Sequence, residues 1–261
     1  MHVMILLLVL CTLSLSTALV DHTKIDPNFE STRSSQQTRI LAGENAKLGQ
    51  FPYQVSLRFF WKHLCGASII ANKWIITAAH CVLSKIPIVY SAVVGSVSLK
   101  EGGVPYKVIK IVTHPKYTGQ APFKNDLALF KLDKEIETSD NVKIIPLETR
   151  NVGKVSAVVS GWGLTSNFAI RPPDNLQYLQ TRTISGYVCR FISGGDASQI
   201  CTWNSLAQGV CYGDSGGPLV ANGNLIGIVS YGMLACGSGI PSVYTRVSYF
   251  KGWIQSIIDK N

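Results

Sequence analysis

The stretch QGVCYGDSGGPLV, residues 208–220, sets one serine, Ser215, between an aspartate and two glycines, with Pro218 close behind. Gly, Asp, Ser and Pro are the residues that turns favour, so a polar turn leading into a strand is the plain reading. The alternative is a nucleophile held on a backbone that only glycine permits. One segment does not decide between them; the rest of the chain does.

From Ile40 onward short β-type runs recur: YQVSL (53–57), ASIIA (67–71), WIITAA (74–79), IVYSAVVGSV (88–97), YKVIKIVTH (106–114), LALFKL (127–132), VSAVVSGWG (155–163), LIGIVSYG (225–232) and SVYTRV (242–247). Gly, Pro, Asn or Asp separates most of them, which predicts an all-β sandwich or barrel. Long helices do not alternate with the strands, which argues against a parallel α/β sheet. The one good helix is terminal, SYFKGWIQSIIDK (248–260). Ser248 is placed to cap it, and Phe250, Trp253, Ile254, Ile257 and Ile258 share one face.

The chain has 261 residues, enough for one large domain or two small ones with a buried core. Its start, MHVMILLLVLCTLSLSTALV, carries an apolar run too short to span a bilayer comfortably, ending in Ser16-Thr17-Ala18. That pattern predicts a signal peptide over residues 1–18 and a secreted product with no membrane attachment after its removal. Residues 19–39 are polar and without apolar period, an unstructured leader. It ends at Arg39, a natural cleavage point, and apolar sequence begins abruptly at Ile40.

Six cysteines follow the leader: Cys65, Cys81, Cys189, Cys201, Cys211 and Cys236. An even count in an exported chain implies disulfides, with fifteen pairings open. Zinc is the competitor, but there is no CxxC pair and no HExxH. The net charge is +9. The lysines are scattered and no nucleic-acid motif accompanies them, so the charge reads as a solvated surface.

Acyl transfer by a serine needs a base for the hydroxyl proton, a group to orient that base, and donors facing the oxyanion. His80 in TAAHC (77–81), Asp126 in NDLAL (125–129) and Ser215 in GDSGGPL (213–219) offer those types. Singly, each has a bland reading: a core histidine, a turn aspartate, a turn serine. Together, in the order His, Asp, Ser, the three motifs resemble those of the trypsin/chymotrypsin serine proteases, most closely the insect-type chymotrypsins. The likeness runs through residues 40–261 and includes FPYQVSL, SGWG and SVYTRV.

The resemblance implies two packed six-stranded antiparallel β-barrels with a C-terminal α-helix, and a protease domain over 40–261 with its site between the barrels. It makes His80 the general base and acid, Asp126 its orienting group and Ser215 the nucleophile. The N–H groups of Gly213 and Ser215 become the oxyanion hole. Cleavage after Arg39 by a trypsin-like protease would free an Ile40 ammonium to pair with Asp214. Cys65 pairs with Cys81, Cys189 with Cys201 and Cys211 with Cys236.

For specificity, the resemblance puts Gly209 at the base of the pocket, with Ser230, Tyr231, Gly232 and Ser242 along its walls. A cation held there would be buried without a counter-ion, so cleavage after large apolar or aromatic residues is expected. Elastase-like or broad collagenolytic preference is the alternative, as are a cascade protease and a non-catalytic homologue that acts by binding. No cofactor or metal is expected: Glu101 is the sole carboxylate between Gly95 and His114, where the family's calcium loop lies. The expected partners are protein or peptide substrates, an activating protease and protein protease inhibitors, with no nucleic acid and a monomeric state. His63 and His114 read as ordinary surface or loop histidines, and Trp162 as a packing residue.

Overall fold

The structure, a computed structural model, describes residues 43–233 and 235–261. The residues read as signal peptide, leader and cleavage point, Arg39 and Ile40 included, lie outside the described residues.

Strand β1 (Glu44–Asn45) is followed by six strands: β2 (Gln54–Phe59), β3 (Lys62–Ala71), β4 (Trp74–Thr77), β5 (Tyr90–Val94), β6 (Val104–Thr113) and β7 (Ala128–Leu132). They pair antiparallel in the order β2-β3-β4-β7-β6-β5, and β5 returns to β2, which closes a barrel. Six more strands form a second barrel: β8 (Ser156–Gly161), β9 (Gln177–Thr183), β10 (Gln199–Trp203), β11 (Pro218–Ala221), β12 (Asn224–Gly232) and β13 (Ser242–Arg246). Their order is β9-β10-β13-β12-β11-β8, closed by β8 on β9, with β1 added outside β9. Closure leaves each barrel without exposed edges. The all-β double-barrel expectation is thus the observed fold.

Alternation makes the barrel walls. In β9, QYLQTRT, residues Gln177, Leu179, Thr181 and Thr183 point inward and the intervening ones lie nearer solvent. In β6, Tyr106 and Val108 are buried while Lys107 and Ile109 face out. The first core gathers Leu57, Ile69, Ile75, Tyr90, Leu129 and Phe130; the second gathers Val159, Leu179, Ile200, Leu219, Ile226 and Tyr244.

Among the described residues two α-helices complete the fold. Helix α2 (Val247–Asp259) buries Val247, Phe250 and Ile254 and leaves Trp253, Ile257 and Ile258 partly covered. It follows the second barrel yet packs back toward the first, where His114 stacks edge-on against Phe250 and Trp253 at 5.1 and 4.8 Å. Burying Phe250 and Ile254 contributes about 2 kcal/mol each. Ser248 does not cap this helix. Arg246 holds the cap position without a side-chain bond, because β13 runs straight into the first turn. Helix α1 (Gly186–Ser193) was not anticipated; the Ser185 hydroxyl accepts from Val188 N–H at its start and Gly194 ends it in the left-handed region. Among the described residues no helix is long and apolar enough to cross a membrane.

Three disulfides join Cys65 to Cys81, Cys189 to Cys201 and Cys211 to Cys236. These are the pairs the resemblance implied. The first ties β3 to the short turn carrying His80 (Ala79–Cys81).

Candidate active site

The barrels meet where glycine lets their backbones touch. A Cβ on Gly66 of β3 would come within 2.7 Å of Gly217 Cα, and one on Gly216 would collide with the Thr77 hydroxyl. Gly66 N–H donates to the Ser215 carbonyl at 2.8 Å, and Gly216 N–H to that of Val229 at 2.8 Å. The loop 213–217 is therefore stitched to both barrels, with Gly213 and Gly216 at φ values of 101° and 77° that L side chains rarely adopt. Ser215 is delivered to the seam by its neighbours.

Opposite it, His80 and Asp126 face each other from separate turns of the first barrel. His80 Nδ1 lies 2.8 Å from Asp126 Oδ2, and His80 N–H donates to Asp126 Oδ1 at 2.9 Å. Asp126 is fully buried. Its Oδ2 also accepts from Ser230 Oγ at 2.5 Å, and its carbonyl accepts from Thr245 Oγ1 at 2.6 Å. A carboxylate so surrounded by donors fixes the imidazole with Nδ1 protonated and Nε2 free to accept. His80 and Ser215 line one cleft of about 300 Å³. Among the described residues no hydrogen bond joins their side chains; catalytic hydrogen bonds commonly tighten only as the substrate complex forms.

Beside the serine, the amides divide into two sets. Asp214, Gly216 and Gly217 N–H all donate to backbone carbonyls. Among the described residues, Gly213 N–H and Ser215 N–H have no such partner. Two unspent donors flanking a serine hydroxyl are what an oxyanion requires.

Asp214 points away from the cleft and is fully buried. Its carboxylate accepts from Gly163 N–H at 2.7 Å and Cys211 N–H at 2.9 Å. Burial nevertheless pushes its carboxyl up to about 6. A Cβ on Gly163 would collide with this carboxylate, so Gly163 makes room for it.

Ser215, Ser230, Tyr231 and Gly232 line the cleft together with Val210, Val229 and the Cys211–Cys236 bridge. Gly209 and Ser242 are not among its lining residues. They lie against each other, a Cβ on Gly209 falling 3.5 Å from Ser242 Oγ, and Gly209 adjoins Val210 in the chain.

Several contributors escaped the sequence reading. Phe123, three residues before Asp126, sits 6.4 Å from the His80 ring and 5.4 Å from the Tyr231 ring. Val210 supplies an apolar wall. His63 is no ordinary surface histidine: Nε2 lies 3.1 Å from the Gly213 carbonyl and Nδ1 2.9 Å from Ser56 Oγ. Trp162 is a packing residue, buried with its indole N–H on the Val97 carbonyl. Among the described residues, the one metal-capable grouping is Cys65, His80 and Cys81. Its cysteines are joined as a disulfide and have no thiolate to give.

A double barrel carrying Ser, His and Asp at its seam defines a class of serine hydrolases. The family model described as Trypsin matches residues 40–254, and the chain belongs to that family of serine proteases. It is 40% identical over 220 residues to chymotrypsin-2 of Vespa crabro, covering 83% of this chain and 98% of that protein. Trypsin alpha of Drosophila melanogaster is 37% identical over 223 residues, 84% of this chain and 87% of that one. Among solved structures, the mouse brain serine protease neuropsin superposes with a TM-score of 0.75 at 30% identity. That match covers 83% of this chain and 98% of its own.

Proposed function

We propose that the chain is a secreted serine endopeptidase of digestive type, made as a precursor and selective for large apolar or aromatic residues. The observation that carries the peptidase reading is the pair of uncommitted N–H groups on Gly213 and Ser215, set beside a serine that shares its cleft with an oriented imidazole.

In the reaction, Ser215 Oγ attacks the scissile carbonyl carbon as its proton passes to His80 Nε2. Asp126 stabilises the imidazolium that forms, and the two N–H groups receive the carbonyl oxygen as it becomes an oxyanion. The C–N bond breaks with the proton returned to the departing amine, leaving an ester on Ser215. Water, deprotonated by His80, attacks that ester and restores the hydroxyl.

The specificity reading rests on the cleft lining. Among the described residues that lining is largely apolar and holds no carboxylate, so Lys or Arg would enter without a counter-ion at a cost on the order of several kcal/mol. A buried Phe or Leu gains about 2–3 kcal/mol instead. A second reading, cleavage after Lys or Arg, draws on the trypsins among the relatives. A cleavage-site profile on a mixed peptide pool separates the two: cuts after Phe, Tyr, Leu and Met support the first, cuts after Lys and Arg the second. A matured enzyme that cuts nothing favours a binding homologue.

Activation follows from Asp214. A buried carboxylate held by two N–H groups gains from a cation, and cleavage after Arg39 supplies one as the Ile40 ammonium. Arg39→Gln is expected to leave an inert precursor. Full activity in that variant overturns the scheme.

A further inference from the structure

The loop that ends in Asp126 is held in an unfavourable shape. Phe123 and Asn125 have φ values of 42° and 57°, left-handed for residues with a Cβ. Such a backbone persists only where its surroundings over-determine it. Local bonds supply part of the hold: Phe123 N–H donates to the Gln120 carbonyl at 2.7 Å, and Asn125 Nδ2 to that of Lys116 at 2.7 Å.

The remainder comes from the other barrel through one buried side chain. Gln199, at the start of β10 and 3% exposed, donates from Nε2 to the Pro122 carbonyl at 2.6 Å. The same nitrogen lies 3.5 Å from Tyr231 Oη, and Oε1 accepts from Ser193 Oγ at 3.2 Å. A Cβ on Gly195 would fall on Gln199 Oε1, so a glycine leaves the amide its place. Lys124 and Asp196 add an exposed ion pair at 3.4 Å across the same junction, of small energetic weight.

One amide thus holds the residue before Phe123 and the hydroxyl of Tyr231, the two rings that stand 5.4 Å apart. Phe123, Tyr231 and Gly232 line both the cleft and an adjoining cavity of about 470 Å³, completed by Ala121, Pro122 and the Ser193–Gly194 corner. Through those shared walls it is continuous with the cleft of His80 and Ser215, and gives a peptide longer than one residue room to extend.

We propose that Gln199 is a positioning residue. It sets the spacing of Phe123 and Tyr231, and through them the fit of the substrate residues that precede the one at the cut. It touches neither the reacting atoms nor the residue in the pocket. The proposal rests on the endopeptidase reading above.

The test compares two anilides with the same leaving group, an acetylated phenylalanine and a four-residue peptide ending in phenylalanine, on the matured enzyme. Gln199→Met keeps the length and removes all three polar contacts of the amide. It should lower kcat/KM on the long substrate at least tenfold, mainly through KM, and change the short one less than twofold. Ser193→Ala, which frees one end of the amide, should move the long substrate about threefold in the same sense. It carries the test if the methionine variant fails to fold. An equal fall on both substrates, or none on the long one, overturns the role of Gln199. A wild-type enzyme that cuts neither substrate overturns the peptidase reading itself, and this proposal with it.

Discussion

Asp126 of the first barrel and Ser230 of the second share a hydrogen bond of 2.5 Å, on the same oxygen that faces His80 Nδ1. The orienting carboxylate is therefore set by both barrels at once. Asp126→Asn places an amide N–H₂ among donors, since the His80 amide, the His80 ring and the Ser230 hydroxyl all converge there. The imidazole then adopts the other tautomer, with Nε2 protonated and useless as a base. A loss of about four orders of magnitude in kcat is expected with the fold retained. Peptide anilide kinetics check it, and a loss under tenfold contradicts the role given to Asp126.

Asp214 gives a prediction whose sign is diagnostic. In the described residues its carboxyl is pushed up to about 6 by burial, above an unfolded value of about 3.9. Between those values the folded chain binds more protons than the unfolded one. This group's contribution then falls as pH rises through the window, by about 3 kcal/mol in all. An inward Ile40 ammonium drives the carboxyl below its unfolded value instead. Its contribution is then complete above about pH 4 and lost only on further acidification. Urea denaturation of the cleaved enzyme from pH 4 to 6.5, referred to Asp214→Asn, should give a flat difference. A difference that shrinks by about 3 kcal/mol argues that no ammonium has docked.

What the sequence disclosed follows from how local each signal is. The alternation of Gln177, Leu179, Thr181 and Thr183 is a strand pattern visible without a structure. Closure is not: β2 meets β5 by pairing Val55 with Val94, and periodicity does not distinguish a barrel from a sandwich. That distinction came from the ordered motifs. The α2 face was legible and its cap was not, since the Arg246 guanidinium is drawn inward to the Ala197 and Gln199 carbonyls. Helix α1 is short, and its signals, Ser185 and Gly194, are ordinary turn residues out of context. His63 and Gln199 were invisible for a further reason. Their partners Gly213 and Pro122 are distant in the chain, and no local pattern marks such pairs.

His63 also titrates in a readable direction. Burial pushes its ring down to about 4, against an unfolded value of about 6.5. The neutral ring, donating from Nε2 to Gly213 and accepting at Nδ1 from Ser56, is the folded form. Its contribution is complete above about pH 6.5 and is lost as pH falls toward 4, by up to about 3 kcal/mol. His63→Gln should remove that acid-side slope from the denaturation profile of the cleaved enzyme. A slope unchanged by the substitution assigns the acid sensitivity elsewhere.

Gly232 is the sharpest probe of which bond is cut. It lies at the end of β12 and lines the cleft together with Tyr231 and the Cys211–Cys236 bridge. A side chain there is expected to take up cleft space that a phenyl ring would fill. With Gly232→Val, kcat/KM on phenylalanine anilides should fall at least a hundredfold while alanine anilides hold or improve. Discrimination of a few kcal/mol is within what one apolar wall supplies. Equal losses on both substrates would mean that the wall distorts the serine loop rather than shapes the pocket. Unchanged phenylalanine hydrolysis would place the specificity pocket elsewhere, because a ring bound against the Gly232 wall cannot ignore two added methyl groups there.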